Sequence, residues 1–183
     1  TAYEIPKRDW SSDVCSSDLL LLKPAPRGPR ASQVHDMMSR WNRFMLADRP
    51  EPLIYDAWLM ELQRRLFQPR LGDDLFASLQ TPNVETLLRV LTDKPEWCDD
   101  PGTKETETCD DAIASALDRA LDAIGRQQGN QIEAWQWGRE HRLAYAHPLF
   151  DRIPLLRDLA SVRFPADGGS NTLSRAEPRY SGS

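Results

Sequence analysis

The sequence predicts an α+β protein that is predominantly helical, and three observations support this fold class. Apolar residues recur every three or four positions in successive stretches of residues 31–139, which is the spacing of helices that bury one face. Proline and glycine are frequent in residues 144–183, which favours irregular structure, with one strand expected near Thr172 and Leu173. The chain has 183 residues, which is long enough to bury a sizeable core.

The first predicted helix covers residues 31–47 and the second covers about 51–68. The residues expected to face inward in the first helix are Val34, Met37, Met38, Trp41, Phe44 and Met45. Asp48-Arg49-Pro50 is expected to end it, and Pro52 falls in the first turn of the second helix, where a missing N–H is tolerated. The inward residues of the second helix are Ile54, Ala57, Trp58, Leu62 and Leu66. Two apolar stripes joined by a short turn indicate an antiparallel helix pair, with residues 69–79 as the connector that follows.

Two further helices are predicted on either side of a polar loop. Thr81 is the expected N-cap of the third helix, since a side-chain oxygen there can accept from a free backbone N–H. Its inward residues are Val84, Leu87, Leu88 and Leu91. Residues 93–108 form the loop, and the fourth helix covers about 110–127, with Asp110 and Asp111 at the end where the helix dipole favours anions. Its inward residues are Ile113, Ala116, Leu117, Ala120, Leu121 and Ile124.

Charge and hydropathy argue against two classes of partner. The net charge is −5 with both signs interspersed, whereas a nucleic-acid-binding protein needs a basic face. No apolar run approaches the ~20 residues that a membrane helix requires. No signal-peptide pattern is visible either, so if the protein is secreted, its signal is expected to lie outside this sequence.

Residues 1–23 are interpreted as a non-native leader preceding a domain at residues 24–183. Ser-Ser-Asp occurs twice in residues 10–19, on either side of Val14 and Cys15. One interpretation is a disordered polar segment. We prefer the hypothesis that residues 3–19 derive from a translated sequencing adapter, because Val-Cys-Ser-Ser-Asp-Leu back-translates onto the end of a common short-read adapter. Cys15 then carries no chemistry.

Cys98 and Cys109 flank the polar loop and remain as a pair once Cys15 is set aside. They suit a single disulfide in an oxidising compartment, worth about 2–3 kcal/mol in the chain-entropy model. The alternative is two unpaired thiols in a cytosolic protein. Zinc is not expected, because the sequence contains no Cys-x-x-Cys pair and neither cysteine has a close histidine.

Three acidic doublets are candidates for acid/base or calcium-binding groups. They are Asp73-Asp74, Asp99-Asp100 and Asp110-Asp111. No doublet has the spacing of a calcium loop with its glycine and terminal glutamate. Solvated loop positions and helix starts are therefore the expected roles, and no metal ligand is predicted.

An aromatic cluster is the candidate functional motif. Its residues are Trp135, Trp137, Gly138 and His141, followed by His147 and Pro148. Residues 132–139 are predicted to form a short fifth helix that begins after a break at Gly129. His141 falls about one turn beyond Trp137, so we expect its ring to lie against the indole with one ring nitrogen bonded to a backbone group. No nearby nucleophile or base partner is identified by spacing, so both tryptophans are predicted to be packing anchors rather than a substrate box.

This motif resembles the Trp-x-Trp-Gly-x-x-His segment late in the β-chain of the penicillin acylase family, which are N-terminal-nucleophile amidohydrolases. The similarity continues through His147-Pro148-Leu149 and Phe164-Pro165 into Gly168-Gly169-Ser170-Asn171-Thr172, and it covers roughly residues 30–175. It implies that the chain is a fragment of an αββα sandwich. It also implies that the parent enzyme hydrolyses a linear amide, such as the acyl side chain of a β-lactam, an acyl-homoserine lactone or a lipopeptide.

Ser170 resembles the family's nucleophile only superficially. In this family autocatalytic cleavage exposes an N-terminal Ser followed by Asn, and the α-amine of that Ser serves as the base. Here the Gly169-Ser170-Asn171 sequence follows the tryptophan motif and only 13 residues come after Ser170, whereas the family order places the nucleophile far before the motif. We therefore carry over no catalytic residue, and a glycine-rich turn into a strand is the expected role of residues 168–172.

The resemblance also implies partners and a compartment. The expected partners are the α-chain and the remainder of the β-chain of the parent enzyme, and the expected location is periplasmic or secreted, which favours the Cys98–Cys109 disulfide. No cofactor is expected in this fragment, although the parent enzyme can bind calcium through segments that are absent here.

A different hypothesis is a small non-catalytic helical interaction module. It predicts a self-sufficient bundle that ends near Gly138, followed by a disordered tail. The acylase hypothesis instead predicts an ordered tail from Ala144 onward and an exposed apolar patch that missing parts of the parent would cover. A third hypothesis, a self-cleaving amidase that uses Ser170, predicts a mass change from cleavage before that residue.

Overall fold

Helices occupy most of the part of the chain that the computed structural model describes, which is residues 20–79, 82–145 and 162–169. The helices are α1 (Gly28–Ser39), α2 (Pro50–Phe76), α3 (Val84–Asp93), α4 (Cys109–Gln128) and α5 (Trp137–Glu140), with 3₁₀ turns at Pro95–Trp97 and Ile132–Ala134. Strands β1 (Arg142–Tyr145) and β2 (Val162–Pro165) form an antiparallel pair in which Arg142 lies opposite Pro165. The predominance of helix is confirmed.

The core lies mainly between α2 and α4. Trp58 of α2 is fully buried there, and its indole N–H donates a 2.9 Å hydrogen bond to the carbonyl of Ile113 in α4. A buried donor that found no acceptor would destabilise the fold, so this bond fixes how the two helices face each other. The inward residues predicted for the fourth helix are all buried, and so are Ile54, Leu62 and Leu66 of α2.

The start of α4 agrees with the prediction that Asp110 and Asp111 lie at the N-terminal end of the fourth helix. Thr108 is the N-cap, its hydroxyl accepts from the N–H of Asp111, and the Asp111 carboxylate accepts from the N–H of Thr108. This reciprocal pair satisfies two backbone donors at the end of the helix. Asp110 and Asp111 therefore occupy a helix start, as expected.

Helix α2 is longer than predicted, so the expected connector over residues 69–79 is wrong as far as Phe76. Proline normally disrupts a helix interior, but Pro69 lies within α2. Tertiary contacts hold the helix on both sides of it: the Phe67 ring meets Trp97 edge-on at 5.5 Å, and the Arg70 guanidinium lies 5.3 Å from the centre of the same indole. The helix kinks instead at Gly72, which has a φ of 73°, a conformation that glycine adopts at little cost.

Helix α1 ends eight residues earlier than its predicted end at residue 47, and it begins at Gly28 rather than at residue 31. The side-chain oxygen of Asn42 accepts from the N–H of Phe44, and Arg43 adopts a positive φ of 65°, so the backbone turns away from the helix path. Phe44 was expected to face inward but is 54% exposed. The apolar residues of this stretch lie on a helix only as far as Met38, because the helix ends at Ser39.

The cap of α3 also differs from its prediction. Asn83 is the N-cap, and its side chain accepts from the N–H of Thr86 at 2.9 Å. Asparagine is among the strongest N-cap residues, and it lies two positions closer to the first apolar residue than Thr81 does. Thr81 itself lies outside the described residues.

The prediction of one fifth helix over residues 132–139 is wrong, because the structure has two short turns there instead. Trp135 and Gln136 are extended between the two short turns, so successive side chains point to opposite sides. The irregular structure expected beyond Leu143 is also wrong where β1 and β2 pair. The strand expected near Thr172 and Leu173 lies outside the described residues.

None of the helices in the described ranges combines the length and the apolar composition needed to cross a membrane.

Candidate functional site

Residues 135–141 connect segments that are distant in sequence. The N–H of Trp137 donates to the carbonyl of Arg49 at 3.0 Å, and the N–H of Gly138 donates to the carbonyl of Ala47 at 2.7 Å. These two bonds attach the motif to the loop that precedes α2. They also satisfy two of the N–H groups that a helix start leaves free, here at α5.

His141 is clamped between an indole ring and a backbone carbonyl. Its imidazole stacks on Trp137 with the ring centres 4.7 Å apart and the planes inclined by 8°. Its Nδ1 lies 2.9 Å from the carbonyl oxygen of Ala166, and because a carbonyl can only accept, Nδ1 carries a proton. The N–H of Ala166 donates in turn to the carbonyl of His141 at 3.1 Å. The histidine thus holds the segment that follows β2.

The two tryptophans anchor different parts of the chain. The indole N–H of Trp135 donates to the carbonyl of Gly129 at 2.7 Å, and the ring lies 5.6 Å from the guanidinium of Arg30 in α1. The indole N–H of Trp137 donates to the carbonyl of Gly168 at 2.8 Å. Both side chains are buried, so their rings contribute packing area as well as hydrogen bonds.

The glycines of the motif lie where backbones approach closely. A Cβ on Gly138 would be 2.5 Å from the Cβ of Pro165 and 2.9 Å from the Cβ of Ala47. Gly168 has a φ of 92°, and its N–H donates to the carbonyl of Met45 at 2.7 Å. Gly169 is buried beside the Met45 side chain. The residues before Ser170 are therefore part of the packed motif.

Asp56 is the ionisable group of α2 that interacts electrostatically with His141. Burial raises the pKa of its carboxyl group to about 6, and the positive charge of a protonated His141 acts in the opposite direction. Water hydrates a carboxylate far better than the protein interior does, which explains the direction of the shift. Asp56 was not identified as a site residue from the sequence, because its coupling to a histidine 85 positions away gave no local signal.

The described part of the motif holds no arrangement for nucleophilic catalysis. The ring of His141 contacts Trp137 and Ala166, which offer neither a hydroxyl nor a thiol. No group of three or more His, Cys, Asp or Glu side chains suited to a metal ion occurs among the described residues. The predicted motif residues His147, Pro148 and Thr172, and also Ser170, lie outside the described residues. The geometry visible here fixes backbone segments.

A second polar cluster organises the loop between α3 and α4. Cys98 and Cys109 form a disulfide with a Cα–Cα distance of 4.8 Å. The buried guanidinium of Arg65 in α2 bridges the carboxylates of Asp100 and Glu107. The N–H of Gly102 donates to Asp100 and, with Arg65 nearby, holds the pKa of that carboxyl below its usual range. Arg65 was not identified from the sequence, because its acidic partners lie in a loop 35 or more residues away.

A family model matches almost the full length of the chain, and two relatives match about four fifths of it. The family model for penicillin amidase matches residues 6–182. An acyl-homoserine lactone acylase, QuiP, of Pseudomonas aeruginosa is 26% identical over 171 residues, which cover 82% of this chain and 20% of the relative. The acyl-homoserine lactone acylase QuiP of Pseudomonas syringae pv. syringae is 24% identical over 160 residues, covering 79% of this chain and 19% of the relative. The chain therefore spans about a fifth of the length of these curated relatives.

Proposed function

Because this chain belongs to the penicillin amidase family, we propose that it is a section of an amidohydrolase that supplies structural support and not the nucleophile. The parent enzyme would cleave a linear amide, such as the acyl side chain of a β-lactam, an acyl-homoserine lactone or a lipopeptide. The names of the two relatives favour an acyl-homoserine lactone among these. The nucleophile would be an N-terminal Ser in a part of the parent that precedes this chain.

The chemistry of such a nucleophile explains why the histidines are not needed for it. An α-amine titrates near neutral pH, so it can accept the proton of its own Ser hydroxyl as that hydroxyl attacks the amide carbonyl. The imidazole of His141 is then available for a structural role.

The observation that carries this proposal is the use of His141. Its Nδ1–H is committed to the Ala166 carbonyl and its ring face to the Trp137 indole, so the most versatile acid–base group of the motif joins two backbone segments. A free general base would need a reactive proton within hydrogen-bond reach. The motif is therefore best explained as a brace in the family fold.

The proposal extends to partners and compartment. The α-chain and the remainder of the β-chain would be the partners, and the parent would be periplasmic or secreted, where a disulfide such as Cys98–Cys109 persists. Calcium in the parent enzyme would be bound by segments outside this chain.

The purified chain should hydrolyse nothing. We expect no acyl release from a chromogenic phenylacetyl amide or from an N-acyl-homoserine lactone, and an intact mass with no cleavage before Ser170. The Ser170→Ala variant is the matched control. Hydrolysis by the unsubstituted chain that disappears in this variant would contradict the proposal and would establish a self-sufficient amidase.

The alternative of a non-catalytic helical module receives less support. It expects the packed structure to end near Gly138, yet Ala166 and Gly168 bond to His141 and Trp137. A module that needs the segment after β2 for its packing is not a bundle followed by a tail.

A further inference from the structure

Cys98 and Cys109 are held opposite each other by contacts that do not include their disulfide. The loop between them is closed a second time by two reciprocal hydrogen bonds. The N–H of Asp100 donates to the Glu107 carboxylate at 3.0 Å, and the N–H of Glu107 donates to the Asp99 carboxylate at 3.0 Å. Asp99 directly follows Cys98, and Glu107 lies two residues before Cys109. These two bonds therefore close the same loop as the disulfide does.

A buried ion-pair cluster closes this loop a third time. The guanidinium of Arg65 in α2, whose side chain is 7% exposed, bridges the carboxylates of Asp100 and Glu107. If the loop moved away from α2, this buried charge would lose both partners, and an unpaired buried charge is strongly unfavourable. The loop is therefore expected to stay on Arg65 when the disulfide is reduced.

The elements that carry the two cysteines are also fixed without the disulfide. On one side, the guanidinium of Arg70 donates to the carbonyls of Glu96 and Asp99, both at 2.9 Å. On the other side, Cys109 is the first residue of α4 and directly follows the Thr108 cap. Neither contact involves a sulfur atom. Reduction should therefore leave the two thiols close enough to bond again.

The two sulfurs differ in their access to solvent. Cys98 is 1% exposed, whereas Cys109 is only partly buried. A thiol reagent must reach the sulfur that it attacks, so access helps to decide which of the two reacts. Cys109 is therefore the expected point of attack.

We propose that residues 98–109 form a reversible thiol–disulfide site, in which Arg65 holds the two thiols in bonding position and Cys109 exchanges with small thiols or dithiols. Arg65 is a positioning residue, since it acts through the carboxylates of the loop. The proposal does not depend on the reaction that the parent enzyme catalyses.

The exchange with a dithiol proceeds in two balanced steps. A thiolate of the reagent attacks the Sγ of Cys109, the bond to Cys98 breaks, and its electron pair passes to the Cys98 sulfur, which takes up a proton. The second thiolate of the reagent then attacks the reagent's own sulfur in the mixed disulfide and releases Cys109, which is protonated in turn. The reagent becomes a disulfide and the protein becomes a dithiol.

Equilibration with reduced and oxidised glutathione tests the positioning role of Arg65. The purified chain carries Cys15→Ser, so that only Cys98 and Cys109 react. Mass spectrometry after acid quenching measures the fractions of the disulfide, dithiol and mixed-disulfide forms. Their ratio gives the effective concentration of one thiol at the other, and it should be higher in the folded chain than in the urea-unfolded chain.

Two substitutions remove the contacts that position the thiols. Arg65→Met removes the buried guanidinium, and Glu107→Ala removes a carboxylate that it holds. Each should lower the effective concentration about tenfold or more, because charge-assisted hydrogen bonds are lost. Glu105→Ala, at an exposed position of the same loop, is the matched control and should leave it unchanged. A substitution that destabilises the disulfide and dithiol forms equally does not change this ratio.

Single-cysteine variants test which sulfur exchanges. In the Cys15→Ser background, Cys98→Ser leaves only Cys109, and Cys109→Ser leaves only Cys98. Cys109 should react with a maleimide about tenfold or more faster than Cys98, because a buried thiol reacts only after local opening. Melting curves verify that each variant is folded.

Three results would overturn the proposal. An effective concentration no higher in the folded chain than in the urea-unfolded chain would show that the loop opens on reduction. An unchanged value in Arg65→Met and Glu107→Ala, or an equal decrease in Glu105→Ala, would remove the positioning role of Arg65. Equal maleimide rates at Cys98 and Cys109 would remove the assignment of exchange to Cys109.

Discussion

Gly138 is the residue at which the loop before α2, the motif and strand β2 come together. Its N–H donates to the carbonyl of Ala47, and the side chains of Ala47 and Pro165 approach its Cα from two directions. The role of this glycine is steric, since its backbone does not need a positive φ.

A methyl group at this position should loosen the brace. Gly138→Ala would bring its Cβ to 2.5 Å from the Cβ of Pro165, so neighbouring segments would have to move, and we expect a loss of about 1–3 kcal/mol in the free energy of unfolding. Urea denaturation measures this loss in the free energy of unfolding. Gly102→Ala is the control, because its nearest neighbour there is the movable carboxylate of Asp100. Equal effects of the two substitutions would argue against a steric role for Gly138.

His141 should contribute to stability through its hydrogen bond and its stacking. His141→Leu leaves the Ala166 carbonyl without its side-chain donor, so we expect a loss of about 1–3 kcal/mol. His141→Asn places an amide N–H near the position of Nδ1 and should lose less. Chemical denaturation of both variants provides the comparison, and equal losses would show that the hydrogen bond contributes little.

Asp56 should make the stability of the folded chain decrease as the pH rises. Its pKa is about 6 in the folded state against 3.8 for the unfolded chain, so between these values the folded state binds the proton more tightly. Stability from this group is therefore fully present below about pH 4 and is lost through pH 6, by about 2–3 kcal/mol at 1.4 kcal/mol per pKa unit.

Comparison with Asp56→Asn isolates this effect from other carboxyl groups. The lowered pKa values of Asp100 and Asp111 act in the opposite direction in both proteins and cancel in the difference. Urea unfolding from pH 4 to pH 7 should show the unsubstituted chain losing stability relative to the variant. A difference that does not change with pH would contradict the burial of this carboxyl group.

At the scale of single residues, local spacing in the sequence predicted only part of the candidate site. The place of His141 one turn beyond Trp137 was predictable, since a short turn brings these two rings together. The acceptors of the motif were not predictable, because they are backbone carbonyls of Ala47, Arg49 and Ala166, and any residue has one. Arg65 and Asp56 act on partners that are far away in sequence.

The loop between α3 and α4 is tied to the rest of the fold in two ways, by the disulfide and by Arg65. Replacing both Cys98 and Cys109 with Ala should lower the free energy of unfolding by about 2–3 kcal/mol, because the unfolded chain regains the entropy that the closed loop removes. Thermal unfolding with and without reductant checks this. Reductant should lower the melting temperature of the unsubstituted chain and leave the double variant unaffected. Equal sensitivity of both would mean that the bond does not stabilise the fold.

Element boundaries were predictable where local signals agreed. Helix α4 has a cap, acidic first-turn residues, an apolar stripe and a terminal glycine, and its predicted bounds differ by one residue at each end. Helices α1 and α2 were mispredicted at their C-terminal ends. The stripe after Met38 belongs to a loop docked on the motif, and the helix around Pro69 is held by contacts of Phe67 and Arg70 with Trp97. A local turn at Asn42 and Arg43 ends α1, whereas tertiary contacts extend α2.

For the whole molecule, family membership and mostly helical structure are established, whereas the αββα sandwich remains an expectation from the family. The family match begins at residue 6 and therefore includes most of the segment that resembles an adapter. The family match includes residues 6–19, whereas the adapter hypothesis treats these residues as non-native. The sequence of the source DNA distinguishes them.

Long-read sequencing of the source DNA across residues 19–24 tests the central claim that this chain is a supporting section of a larger amidohydrolase. We expect the codons for residues 10–19 to be absent and the frame to continue upstream to a Gly-Ser-Asn sequence that begins a β-chain. A frame that retains those codons directly behind a start codon would contradict the claim, and the non-catalytic helical module would then be the better explanation.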